Sequence, residues 1–596
     1  MSSLPRRNEL PKEQTWDLES LFKDETAWRQ ALAEARQAVE ELRPFAGRLN
    51  ESPKTLLQAL KTRDRVMLQA QKVYLYANLQ QATDGTNPVF QAMNAEARGL
   101  LSFVGSAAAY LEPELLELPE ELLERWMAEE PELAIYRHYF DQLQSRRGHI
   151  RSQEVEALLA QMGDPLGALQ ASAQAATNAD MRFAPVGELP VSHSTIGELL
   201  THPQREVRRA AWESYADGHL ALKNTLASCL QGHMKATIVQ ARARAYPSAL
   251  EMSLSLNHIP RRVYDTLLAV FQEHLPLWQR YFSLRRQALG SLATFDVPTY
   301  DAPAPLRPSP KIPFAQAAEL ICRGMEPLGQ EYVIPLRRGL FEERWVDWGQ
   351  NQGKRAGAFS SGLQGTHPFV FMSYSEDIFS LSTLAHELGH SMHSYFSRNL
   401  QPYVYSRYSL FVAEVASNFN QAMVRAYLKH ALPPEHHLVL LEEAFANLHR
   451  YLFVMPTLAR FELECYERLE QGSSLSAPWM IDRLAERFQE GYGAAVEVDR
   501  ERLGASWMMF SHFYQPFYVY QYATGISAAN ALAQKVLREG EPAAQRYLEF
   551  LKLGDSVYPL EALRVAGIDM ETPQPIEAAF GVLEGMVDEF ETLIRG

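Results

Sequence analysis

Apolar residues recur three and four positions apart over most of this chain, with charged residues between them. Such spacing puts the apolar set on one face of a helix. It predicts amphipathic helices over Trp28 to Leu42, Pro53 to Gln81 and Leu115 to Trp126, and another opening at Ser152. Ser52-Pro53 pairs a small polar cap with a first-turn proline, and Thr195-Ile196-Gly197-Glu198 has the spacing of a capping box. Between about Ala179 and Ser194 the periodicity breaks, and a second helix-rich section begins near Thr201-His202-Pro203. A domain boundary is therefore expected near residue 200, dividing the chain into 1–200 and 201–596. Proline crowds Thr294 to Pro313, which reads as a connector. Strand character is confined to Phe341 to Tyr374, where Phe369-Val370-Phe371-Met372 follows the turn residues Ser360-Ser361-Gly362. The expected class is mainly α with a small β-sheet.

At 596 residues the chain exceeds what one hydrophobic core usually supports, which also favours two or more lobes. A formal net charge of -15 argues against a nucleic-acid partner, because phosphate binding rests on clustered Lys and Arg. Cys229, Cys322 and Cys465 lie far apart and form no C-x-x-C pair, so a reducing compartment is expected. The first residues, Met1 to Gln14, carry no apolar run of the secretory kind. No stretch reaches the roughly 18 apolar residues of a membrane span. The expected location is the cytoplasm.

His386-Glu387-Leu388-Gly389-His390 is the most informative segment. Histidines at i and i+4 project from one helix face, about 6 Å apart along the axis, so both rings can reach one metal ion. Glu387 can then take the proton of a water that the metal activates. A catalytic zinc needs a third protein ligand. His393 shares the helix face, but its distance from His386 is about 10.5 Å of axial rise, too far for one ion. Glu414 is the better candidate: it sits in the apolar stretch Leu410-Phe411-Val412-Ala413-Glu414-Val415-Ala416, where an unpaired carboxylate is costly. Ser417 and Asn418, one turn on, are placed to orient ligands.

A second dense segment runs from His512 to Tyr522. Pro516 suits the first turn of a helix, after which Tyr518 and Tyr522 would share a face. Phenol and imidazole donors there could hydrogen-bond the oxyanion formed when water attacks a peptide carbonyl. Read from its residues alone, the segment is better taken as an aromatic core helix, a preference that the family resemblance below reverses.

Taken together these residues resemble oligoendopeptidase F, in the thimet oligopeptidase family of zinc metallopeptidases, over nearly the whole chain. Trp16-Asp17-Leu18-Glu19-Ser20-Leu21-Phe22 is similar to that group's opening, and Gly353 to Gly362 to its segment before the active-site strand. His386 to His393 is similar to its metal helix. The resemblance implies a zincin-type catalytic lobe over 201–596, and a helical N-terminal lobe with it enclosing a deep substrate channel. It implies one Zn²⁺ held by His386, His390 and Glu414, with Glu387 as base. It also puts His512, Tyr518 and Tyr522 among oxyanion and substrate contacts. The sequence departs from the wider family here: Phe517-Tyr518-Val519-Tyr520 replaces a glycine-rich segment, and Gly525 stands where thimet oligopeptidase has a further tyrosine. The implied substrates are short unfolded peptides cut internally.

The expected reaction is direct hydrolysis, with Phe369, Val370, Phe371 and Met372 pairing with the peptide as an added strand, or else forming an interior strand with no free edge. A metallocarboxypeptidase or dipeptidase with the same helix is the rival enzyme; cleavage of end-blocked peptides separates the two. A non-catalytic peptide-binding protein is the rival of another class, and an intact Glu387 counts against it.

Overall fold

A computed structural model describes residues 4–290, 301 and 303–595. The chain is mainly helical, with one three-stranded sheet among the described residues. Of the expected connector over 294–313, residues 294–300 and 302 lie outside the described residues; from 303 to 313 the chain has no regular structure.

The expected helices form, with boundaries that follow from individual residues. Ser52 accepts from the Thr55 amide and Pro53 opens the helix Pro53–Thr83. Asp24 accepts from the Ala27 amide and starts the helix Glu25–Ala38 three residues before the expected point. The span Leu115 to Trp126 is two helices, Leu111–Glu117 and Glu120–Glu129. Pro119 causes the break: Leu118 before it is extended, because proline disfavours α backbone in the preceding residue. The capping box at Thr195 does not form. Thr195 turns its hydroxyl to the Pro190 carbonyl and makes no side-chain cap on the helix Ile196–Leu200.

The chain forms two compact units. One comprises Met1–Gly148, Ile312–Ser409 and Val536–Ala566; the other comprises His149–Lys311, Leu410–Lys535 and Gly567–Gly596. The nearest crossing between them falls after residue 148, not near residue 200.

The first unit holds the sheet. Strand β1 (Val346–Asp347) pairs parallel with β3 (Phe369–Phe371), and β2 (Phe359–Ser361) pairs antiparallel with β3 on its other side. Trp16 packs on it, with its ring centroid 6.1 Å from Phe369 and 5.7 Å from Phe371. Full burial of each such ring contributes about 1.5–3 kcal/mol. Under β1, the fully buried Asp347 accepts from Lys354 Nζ at 2.7 Å and pairs with Arg7. Lys354 also donates to the Gly349 and Met372 carbonyls, fixing the chain on both sides of the sheet.

This topology corrects one expectation. β3 is the central strand, both of its edges are taken, and Phe369, Val370, Phe371 and Met372 are all buried. They cannot pair with a peptide. Of the two edge strands, β2 is half-buried, whereas β1 is buried.

The second unit is helical around a ring-rich core. Trp278 lies 5.4 Å from Phe453, and Phe282 lies 5.8 Å from the same ring. Among its helices are Leu410–Ala431, Met455–Glu470 and Tyr520–Glu539, which carry the residues discussed below.

Candidate active site

The motif helix runs from Ile378 to Leu400. Asp377 caps it, accepting from the Ser380 amide at 2.7 Å while Ser380 returns the contact to the Asp377 amide. Leu381, Leu384, Ala385 and Leu388 are buried and seat the helix, so His386 and His390 are left half-buried on its other face. Their ring centroids are 4.9 Å apart. Glu387, between them in sequence, is buried.

Local hydrogen bonds hold this turn. Ser391 Oγ donates to the Glu387 carbonyl at 2.8 Å and lies 2.8 Å from Ser360 Oγ, tying the motif helix to β2. Tyr408 Oη donates to the His390 carbonyl and meets Ser394 Oγ at 2.8 Å.

His386, His390 and Glu414 each offer a ligand atom within 4.8 Å of the others, and among the described residues this is the one such group of three or more. Glu414 lies one turn into the helix Leu410–Ala431 and is buried. Ser417 Oγ donates to its Oε2 at 3.1 Å, and Asn418 Nδ2 donates to its carbonyl at 2.8 Å. Two imidazoles and a carboxylate are the donor set of a catalytic zinc site with one position left for water. His393 is not part of the group. It stacks on Tyr408 with centroids 3.7 Å apart, and burial pushes its imidazole down to about 3.

Gly525, on the helix Tyr520–Glu539, explains how Glu414 is accommodated. A Cβ on Gly525 would stand 2.7 Å from the Glu414 Cβ, a distance real Cβ atoms do not reach. The glycine lets the two helices approach at the carboxylate.

The aromatic segment gathers its three expected residues, though not by the expected helix. The helix begins at Tyr520, not Pro516, because Phe517 takes a left-handed backbone (φ 52) and interrupts any earlier turn. His512 lies on the short 3-10 turn Ser511–Tyr514. Its ring centroid is 5.5 Å from Tyr518 and 5.9 Å from Tyr522, and the two phenol oxygens are 3.4 Å apart. Burial, with a smaller effect from Arg450, lowers the His512 pKa. Burial, the contact with Tyr518 and the charge of Glu414 raise that of Tyr522.

Residues 198–582 match peptidase family M3, and residues 114–183 match the Oligopeptidase F family. The chain belongs to peptidase family M3. Oligopeptidase PepF of Bacillus subtilis is 37% identical over 100% of this chain and 89% of that protein. The plasmid oligoendopeptidase F of Lactococcus lactis subsp. cremoris is 33% identical, over 99% of this chain and 98% of its own. The crystal structure of oligoendopeptidase-F from Enterococcus faecium aligns with a TM-score of 0.75 at 32% identity, covering 95% of this chain and 98% of that one. As a member of M3 with such relatives, the chain is a metalloendopeptidase.

Several roles in this M3 chain escape a reading of the sequence. Lys354 and Asp347 look like ordinary surface charges, and Gly525, visible as a departure from the wider family, gives no sign of its close approach to Glu414. Glu462 escapes such a reading too: Arg460 and Glu464 stand two positions to either side on the helix Met455–Glu470, so it reads as one of several charged residues there.

Proposed function

We propose that this chain is a zinc-dependent endopeptidase that cuts internal bonds of short, unfolded oligopeptides in the cytoplasm. The observation that carries the reading is the convergence of His386, His390 and Glu414, with Glu387 on the same helix as the two histidines. The donor set suits zinc, and the hydrogen bond from Ser417 orients the carboxylate as a ligand needs. A bound zinc would supply Lewis acidity, easing proton loss from a water and polarising a carbonyl. Glu387 takes the proton of the attacking water and returns it to the amine nitrogen as the C–N bond breaks. His512 and a phenol, Tyr518 or Tyr522, donate hydrogen bonds to the oxyanion.

Substrate class follows from the relatives, whose names describe oligopeptidases and oligoendopeptidases. An extended peptide has one suitable partner in the sheet, the half-buried edge strand β2, whose Ser360 touches the Ser391 hydroxyl on the motif helix. Backbone pairing there would tolerate varied side chains. Net charge -15 argues against a nucleic-acid partner, and among the described residues no helix is long and apolar enough to cross a membrane. Catalysis by residues 201–596 is part of the same proposal, as a functional division of the chain that does not follow the boundaries of the two compact units.

Metal analysis combined with peptide digestion tests this. The purified chain should hold about one zinc, lose cleavage of an end-blocked peptide on chelation, and regain it with zinc. Cleavage that survives complete metal removal, or that requires a free peptide end, would overturn it.

A further inference from the structure

The segment from His512 to Tyr522 bends sharply at one peptide group, that between Pro516 and Phe517. Phe517 is bulky and left-handed (φ 52), a conformation that persists only where the surroundings over-determine it. They do so at both poles of that peptide. The Phe517 amide donates to Glu462 Oε1 at 2.8 Å, and Ser253 Oγ donates to the Pro516 carbonyl at 2.7 Å. The Phe517 ring is itself buried, 4.7 Å from Tyr466 and 6.0 Å from Tyr264. From this clamp the backbone is linked directly to the proposed oxyanion groups. The Tyr518 amide donates to the Gln515 carbonyl, and the Gln515 amide donates to the His512 carbonyl at 2.8 Å.

We propose that Glu462 is a positioning residue: by gripping the Phe517 amide it holds the turn that brings His512 and Tyr518 together. This rests on the reading of that segment as the oxyanion-stabilising part of the site. The carboxyl is otherwise hard to explain. Glu462 is 1% exposed, its Oε2 is buried with no hydrogen bond, and no cation pairs with it among the described residues. A buried acid with one backbone contact is costly where leucine would pack. The titratable groups beside it, Tyr264, Cys465 and Tyr466, are all kept protonated by burial. Burial pushes the Glu462 carboxyl up to about 8, so at neutral pH it serves as a neutral acceptor that an amide can imitate.

The test compares Glu462→Leu, Glu462→Gln and Ser253→Ala in the zinc-loaded enzyme, with kcat, KM, zinc content and melting temperature measured for each. Glu462→Leu should lower kcat by about ten- to a hundredfold, the range expected when reacting groups are misplaced by about an ångström, with KM and zinc content little changed. Glu462→Gln keeps an acceptor for the amide and should retain most of the activity. Ser253→Ala, at the other pole, should act in the same direction more weakly, and it serves as the working variant if Glu462→Leu does not fold. Combined with His512→Ala, the effect of the Glu462 or Ser253 substitution on kcat should shrink, because part of it acts through His512. Normal kcat in Glu462→Leu, or in Ser253→Ala should that one alone fold, would overturn the proposal, and so would full additivity with His512→Ala. If His512→Ala and Tyr518→Phe themselves leave kcat unchanged, the oxyanion reading of the segment fails instead.

Discussion

Glu414 and Glu462 are both buried on helices, yet their settings differ. Glu414 has a hydroxyl donor and two imidazoles nearby, whereas Glu462 has a backbone amide alone. Burial raises the pKa of Glu462, because its one backbone contact does not offset the loss of water. Glu387 is the third buried carboxylate of interest, and its replacement isolates proton transfer. Glu387→Gln should reduce turnover by at least about 10²-fold while zinc stays bound, so near-normal activity in the metal-loaded variant would exclude it as the base. Gly525 offers a sharper test of geometry. Alanine normally stabilises a helix interior over glycine by roughly 1 kcal/mol. Here the added Cβ would meet the Glu414 Cβ at 2.7 Å, so the carboxylate must move. Gly525→Ala should therefore weaken zinc retention by about tenfold or more without loss of helix content, as read by metal titration and circular dichroism.

At the scale of elements, the sequence is legible where a signal is local. The Ser52 cap and the i, i+4 pair of the motif helix depend on a few adjacent residues; the Asp24 cap and the Pro119 break are as local, yet apolar periodicity alone starts the one helix at Trp28 and runs the other unbroken from Leu115 to Trp126. Strand order is not local: that β3 lies between β1 and β2 depends on β1 pairing with it from more than twenty residues away, and it removes Phe369 to Met372 from any peptide edge. The late start of the helix at Tyr520 was equally hidden, since it follows from contacts made by distant Glu462 and Ser253 on Phe517 and Pro516. Buried titratable groups make the helices of the second unit sensitive to pH in opposite senses. His449, stacked on Phe453, is pushed down to about 4 by burial. Its unfolded form binds a proton more readily, so its contribution is complete above the ordinary imidazole value of 6.5 and is lost as pH falls through 4. Glu462, raised to about 8, contributes fully below 4.5 and loses that contribution as pH rises through 8. Denaturation midpoints should show both limbs, with His449→Phe flattening the acid one and Glu462→Gln the alkaline one. Unchanged slopes would mean that these groups are not titrating as their burial dictates.

For the whole molecule, what a local reading cannot supply is the interleaving of the two units, each assembled from three separate stretches of chain. The stretch carrying His386 and His390 ends at Ser409, five residues before Glu414. His386 and His390 lie on one helix and Glu414 on the next long one, so the three meet only in the folded chain, and metal binding should be coupled to folding. Chelation is expected to lower the melting temperature as well as abolish cleavage, and added zinc should restore both. The proposed substrate class supplies the most discriminating test at this scale. Pairing along β2 engages extended backbone, because a strand can add only to an edge whose partner is unfolded locally. A peptide of ten residues spans some 35 Å when extended, at about 3.5 Å per residue, and supplies all the backbone that a three-residue edge can use. End-blocked peptides of that length should be cut internally, and a stably folded protein should survive the same enzyme concentration. Resistance of the folded protein alone proves little, since its strands are already paired. A long, permanently unfolded chain is the informative control: it offers the same extended backbone as the short peptide and differs only in size. If the enzyme is an oligopeptidase in the sense proposed, kcat/KM per cleavable bond should fall by at least about tenfold, or roughly 1.4 kcal/mol, between the short peptide and the long chain. Equal rates for the two would show that length is not selected, and would leave the peptidase chemistry at Glu387 untouched.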